Sequence, residues 1–204
     1  MRIALLVFVM SVGVALGSVR PEARDEAVIR VRIYDYVGLA PEMLTDTQRV
    51  AADFYTPTGL TIDWAPTFRP QGRKDRHVEY GRLQDFTLHL LSRSMVARST
   101  WAPDALGAAV VAPRGGGSIA YVLYDRLKDA AAASGWQVRD LLALVMAHEL
   151  AHLLLPPGSH AADGLMRSGW DVAELRHIRP NSLAFTPDHI AGIRARLMQM
   201  VPAQ

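Results

Sequence analysis

The sequence contains no cysteine among its 204 residues. No disulfide can therefore hold the fold together, and stability has to come from the packed core, with help from a metal ion where one binds. A zinc site built from thiolate ligands is excluded for the same reason.

Clusters of positive charge are also missing. The formal net charge is only +2, and the densest basic stretch, residues 73–76, is interrupted by an aspartate. Proteins that bind nucleic acid concentrate lysine and arginine on one surface. We therefore expect no nucleic-acid partner.

Long apolar runs are absent except at the N-terminus. Residues 3–17 are apolar or small, Arg2 is the one charge before them, and residues 15–17 offer a small-x-small cleavage site. A run of about 15 residues is shorter than the ~20 that a membrane-spanning helix needs. We expect residues 1–17 to be a cleaved signal peptide, so that the mature chain is secreted or extracytoplasmic, without stable membrane insertion. In a bacterium with two membranes it would be periplasmic.

The rest of the chain has the composition of a folded domain. Half of the residues are hydrophobic and 21% are charged, which is typical of a globular protein with a sizeable core. We see neither an internal repeat nor a second core, so residues 18–204 are expected to form a single domain.

Local patterns predict several strands before a long buried helix. Segments with strand character are residues 28–34, 60–64, 86–90, 107–111 and 118–124. The last two are separated by Pro-Arg-Gly-Gly-Gly, which predicts a hairpin turn. A helix is expected from Pro41 to about Tyr55, and the charged, Gly- and Pro-containing segment 66–82 is interpreted as a surface loop.

Two further helices complete the predicted order. Residues 137–154 are apolar almost all round, which indicates a helix buried in the middle of the domain. Thr186 and Pro187 are typical of a helix start, as N-cap and first helical residue, and the helix should end near Met200. The predicted fold class is α+β, with a mixed, twisted sheet packed on the buried helix and a C-terminal helix after it.

The buried helix contains the sequence His148-Glu149-Leu150-Ala151-His152. Residues four apart share one face of a helix, so both imidazoles can reach one cation, and Glu149 can address a water molecule on it. Zinc suits imidazole ligands and lowers the pKa of bound water to about 7. A buried glutamate beside two histidines is costly without a partner, and a metal ion supplies one.

Two imidazoles leave a catalytic zinc site one protein ligand short. His160 lies just past a Pro-Pro-Gly turn whose glycine lets the chain reverse, so it is the expected third ligand. Asp163 is the nearest alternative, followed by Glu174 and His177.

Together with Gly164-Leu165-Met166, these residues resemble the zinc-binding segment of metzincin metallopeptidases. The resemblance covers about 20 of the 204 residues. It implies a zincin-like fold, a Zn²⁺ ion held by the two helix histidines and His160, and Glu149 as the catalytic residue. It also implies that Met166 lies in a tight turn beneath the imidazoles and supports them without binding the metal. The third histidine comes two residues later than the family pattern places it.

The remaining assignments concern an oxyanion and the other histidines. Some metzincins place a tyrosine after the methionine turn, but the last tyrosine here is Tyr124, so Arg167 is the candidate for stabilising an oxyanion. The remaining histidines, His77, His89 and His189, have no partner at metal-ligand spacing and are expected to pack or to lie at the surface.

The expected function is therefore an exported zinc-dependent peptide hydrolase, in which Glu149 acts as general base and then as general acid. The family resemblance implies a peptide or protein substrate bound in extended form along an edge strand, either residues 107–111 or residues 118–124. The alternative is a non-catalytic, zinc-stabilised extracytoplasmic binding module. Three protein ligands plus water would favour the hydrolase, whereas four protein ligands would favour the module.

Overall fold

The computed structural model describes residues 27–69, 85–111, 117–170, 172–177 and 183–200. The predicted signal peptide, residues 1–17, lies outside these ranges, as do most of the predicted loop 66–82 and most of the predicted hairpin turn. In the described ranges, no helix is both long enough and apolar enough to cross a membrane.

The strands of the described residues form one mixed sheet. They are β1 (Ala27–Asp35), β2 (Leu60–Phe68), β3 (Asp85–Leu91), β4 (Gly107–Val110) and β5 (Ile119–Leu123). Their order across the sheet is β2-β1-β3-β5-β4, with β4 antiparallel to β5 and the other neighbours parallel. The expected pairing of the last two strands is confirmed, and β4 forms one edge of the sheet.

Six α-helices accompany the sheet in the described residues. They are α1 (Pro41–Asp53), α2 (Arg93–Val96), α3 (Tyr124–Ser134), α4 (Val138–Leu154), α5 (Val172–Leu175) and α6 (Pro187–Met200). The three helices predicted from sequence, α1, α4 and α6, lie where they were expected. The predicted α+β class is confirmed.

Two local predictions were incomplete. Helix α3 was not predicted, because the alternating pattern of β5 continues up to Tyr124, where the helix begins directly. Strand β2 runs on to Phe68, although its last three residues, which begin with Pro66, were interpreted as part of the charged, Gly- and Pro-containing loop 66–82. Since β2 is an edge strand, a residue without an N–H group can be accommodated there.

Helix α4 lies at the centre of the core, as its apolar sequence predicts. It contacts α1, α3, α6 and the strands β4 and β5, and residues 141–151 are buried without a break. The sheet presents the alternating side chains of Ile29, Val31 and Ile33 to this core. The helix ends before Pro156 and Pro157, and Gly158, with a φ of 79°, lets the chain turn back.

Tyr55, just after α1, is hydrogen-bonded to the central helix. Its side chain is 0% exposed, and its hydroxyl donates a hydrogen bond of 2.6 Å to the carbonyl of Ala147, next to His148. This bond joins the end of α1 to the part of α4 that carries the paired histidines.

Replacing Tyr55 by Phe should remove this bond while keeping the packing of the ring. We expect the free energy of unfolding to fall by about 1 kcal/mol, the net contribution of one such hydrogen bond. Chemical denaturation of the parent and the variant measures the difference. Tyr124→Phe, at a partly exposed tyrosine, is the control and should change stability less; equal losses in both variants would contradict the assigned bond.

Candidate metal centre and its cleft

Consecutive turns of α4 place His148 and His152 side by side. Their Nε2 atoms are 3.0 Å apart and their ring centroids 4.6 Å apart. Two nitrogens bound to one tetrahedral zinc ion at about 2.1 Å are about 3.4 Å apart, so a small rotation of the rings suffices to share an ion. The i, i+4 spacing thus produces the geometry that the sequence predicts.

His160 completes a cluster with these two residues. Its ring centroid lies 5.5 Å from that of His148 and 4.7 Å from that of His152. One potential ligand atom from each of the three histidines lies within 4.8 Å of the other two. The structure therefore brings together the three side chains that were expected to hold the metal.

The alternative third ligands do not join this cluster. Asp163 and His177 are exposed, and Glu174 forms an ion pair with Arg167. Within the ranges that the structure describes, the cluster consists of three histidines without a fourth acidic or histidine ligand. Such a set leaves room for a water molecule in a four-coordinate zinc site.

A backbone carbonyl fixes the orientation of His148. The Nδ1 atom lies 2.8 Å from the oxygen of Leu165. Since a carbonyl only accepts, Nδ1 must carry the proton and Nε2 keeps its lone pair for a cation. In metal sites, the ring nitrogen of a ligand histidine that does not face the metal is usually held by a hydrogen bond of this kind.

The carbonyl of Leu165 belongs to the tight turn in which Met166 was expected. Gly164 has a φ of 80°, and a Cβ there would lie 2.5 Å from the carbonyl oxygen of Ala184, so glycine is required. Met166 itself is 0% exposed. The turn therefore contains a fully buried methionine beside the carbonyl that orients His148.

Burial keeps the paired imidazoles of α4 neutral. It lowers the pKa of His148 to about 4 and that of His152 to about 3, and in His152 the neighbouring imidazoles add to the effect. Near neutral pH both rings therefore offer lone pairs rather than charges. This is the state that a divalent cation requires of its imidazole ligands.

Glu149 is buried in the wall of the same cleft, with an exposure of 6%. Burial raises its pKa to about 8, because the carboxylate loses hydration. It is not a member of the histidine cluster. The carboxylate therefore lines the cleft without belonging to the set of potential metal ligands.

Gly107, the first residue of β4, makes room for Glu149. A Cβ at Gly107 would lie 2.5 Å from Oε1 and 2.6 Å from Cγ of Glu149. Sequence reasoning did not find this contact. The available signal was a glycine inside a strand pattern, which often marks a close approach by another group.

The cleft in front of the histidines has a volume of about 850 Å³. Strand β4 lines one side, and the indole of Trp170 packs edge-on against His148 with ring centroids 5.1 Å apart. Arg167, the candidate for stabilising an oxyanion, also lines the cleft, where it is paired with Glu174. The alternative prediction that residues 118–124 form the edge strand that binds substrate is wrong, because β5 lies between β3 and β4.

No protein-family model and no curated protein matches this sequence. Solved structures do match its fold. Archaemetzincin from Methanopyrus kandleri aligns with a TM-score of 0.54 and 14% identity, over 86% of this chain and 99% of that one. Metalloproteinase-II from Bacteroides fragilis aligns with a TM-score of 0.52 and 13% identity, over 87% of this chain and 55% of that one. The five-stranded mixed sheet with its central helix is therefore an archaemetzincin-like fold.

Proposed function

We propose that this chain is an exported zinc-dependent peptide hydrolase with a metzincin-like centre. The observation that carries the proposal is the convergence of three histidine side chains beside a buried carboxylate that is not a member of their cluster. The fold supports it, since it is similar to those of an archaemetzincin and of a metalloproteinase. Export rests on the apolar N-terminal segment 1–17.

The donor set suits zinc. His148, His152 and His160 would supply three nitrogen ligands, and a bound zinc ion polarises a carbonyl and acidifies a water molecule. Met166 would support the ligands from the turn that orients His148.

Glu149 has the proton-transfer role in this proposal. It takes a proton from the attacking water and gives it to the nitrogen of the leaving amine. Burial favours the protonated carboxyl group, whereas a cation held by the adjacent histidines favours the carboxylate. The two influences oppose each other, which brings the pKa of the group towards the working pH of a general base.

Peptide is the substrate class that the cleft favours. Strand β4 lies at the sheet edge and also lines the cleft, so an extended main chain can pair with it beside the histidines. The non-catalytic module is less well supported, because it needs a closed, fully protein-ligated ion. In the described part of the chain, the cluster consists of three histidines, one ligand fewer than a closed site needs. Glu149 lies beside the cluster without belonging to it, and a purely structural ion would not account for this buried acid.

Glu149→Gln is the most direct test of catalysis. The variant should keep stoichiometric zinc but hydrolyse an unstructured protein about 10²- to 10⁴-fold more slowly, the usual contribution of general acid–base catalysis. Elemental analysis and a casein digestion assay measure the two properties. Chelator treatment should abolish the activity of the parent, and added zinc should restore it. A glutamine variant as active as the parent would sink the catalytic assignment.

His160→Ala and Glu174→Ala test the identity of the third ligand. The first should lose stoichiometric zinc, because two imidazoles alone bind the ion weakly, whereas the second should retain it. Metal content after dialysis against a weak chelator distinguishes the two variants. Retention of zinc by the His160 variant, with loss by the Glu174 variant, would reverse the assignment.

Gly107→Ala tests whether the space beside Glu149 matters for turnover. The added Cβ would displace the carboxylate, so we expect kcat to fall about 10- to 100-fold with zinc content unchanged, since small displacements of a catalytic group have effects of this size. Gly169→Ala is the matched control, because a Cβ there meets no atom within 4 Å. Equal kcat values in the two variants would show that Gly107 does not hold Glu149 in place.

A further inference from the structure

His189, in the first turn of α6, is buried and makes hydrogen bonds to two separate parts of the chain. His189 is only 7% exposed to solvent. On one side Nδ1 lies 2.9 Å from the hydroxyl oxygen of Thr186 and 3.4 Å from the amide nitrogen of the same residue. On the other side Nε2 lies 2.9 Å from the carbonyl oxygen of Ser159.

These partners determine the tautomer of the ring. A backbone N–H group only donates, so Nδ1 of His189 accepts from Thr186. A carbonyl oxygen only accepts, so Nε2 donates to Ser159. The N–H of His189 also donates to the Thr186 hydroxyl oxygen, at 3.3 Å. The pair forms a reciprocal helix cap, in which histidine takes the place that glutamate usually has.

Ser159 directly precedes His160 in the chain. On the other side of that histidine, the N–H of Ala161 donates a 2.8 Å hydrogen bond to the carbonyl of Met166. The His160 side chain itself is exposed, and it follows the exposed turn of residues 156–158. Hydrogen bonds therefore hold the backbone on both sides of His160. The Ser159 carbonyl is bound to His189 of α6, and the Ala161 N–H is bound to the turn of Met166.

We propose that His189 is a positioning residue for the third zinc ligand: by holding the Ser159 carbonyl, it keeps the His160 imidazole facing the two histidines of α4. This inference rests on the zinc site of the proposed function. It explains how a ligand that comes two residues later than the metzincin spacing still reaches the cluster. Helix α6 is thereby part of the support of the metal centre.

Two substitutions separate this role from helix capping. An asparagine side chain can bring an acceptor to the position of Nδ1, so His189→Asn keeps the cap but loses the donor to Ser159. A glutamine side chain can bring an amide donor to the position of Nε2, so His189→Gln keeps the bond to Ser159, and glutamine is also an ordinary residue at this position of a helix cap. We expect zinc release to be at least about tenfold faster in His189→Asn, as for other losses of support to a ligand. Release from His189→Gln should stay near the parent rate.

The measurement is the rate of zinc transfer from the loaded full-length protein to a chromophoric chelator. Leu197→Ala is the control for a general weakening of α6, since Leu197 is buried on the same helix. It should lower the melting temperature of the metal-free protein without speeding zinc release. Release from His189→Asn at the parent rate, or equally fast release from His189→Gln or Leu197→Ala, would overturn the inference.

The zinc-release assay and the casein digestion together distinguish this inference from the proposed function. A parent protein that binds zinc but hydrolyses no peptide would overturn the proposed activity and leave the role of His189 supported by the release rates. A parent protein that takes up no zinc would overturn both.

Discussion

The burial of polar groups on a helix that is apolar on nearly every side is the constraint on which the rest of this structure depends. Helix α4 runs through the core, so each polar atom on it needs a partner or a space of its own. The Leu165 carbonyl meets His148, and the Tyr55 hydroxyl meets the backbone at Ala147. Gly107 leaves the space that the Glu149 side chain occupies.

These partners come from segments that are far apart in the chain and share no local pattern. Sequence reasoning succeeded where the information was local: the i, i+4 histidines, the all-apolar helix and the Thr186-Pro187 helix start each depend on a few neighbouring residues. It failed to predict α3, because strand alternation passes into helix at Tyr124 without a breaking residue. The predicted strand β2 also ended too early, before Pro66. The sequence of a strand does not show whether the strand lies at an edge of the sheet, where a proline is tolerated.

The residues of the site show the same difference between local and long-range information. His148, Glu149, His152 and His160 were identified from residue type and spacing, and the structure brings them to one cleft. Gly107 and His189 were not identified, since a glycine in a strand and a histidine in a helix gain meaning only from what lies opposite. The hydrogen bond between His189 and Ser159 spans 30 residues. The choice between β4 and β5 likewise required the order of the strands, which local alternation does not contain.

The long-range origin of these supports has a consequence for the order in which the molecule is assembled. The centre draws on β4, on α4, on the turn at Leu165 and on the first turn of α6, so its parts are separated by about 80 residues of sequence between Gly107 and His189. Closing loops of such length costs more chain entropy than forming the contacts within one helix. A chain still emerging from the ribosome, with α6 not yet synthesised, therefore lacks the hydrogen bond that His189 makes to the residue before His160.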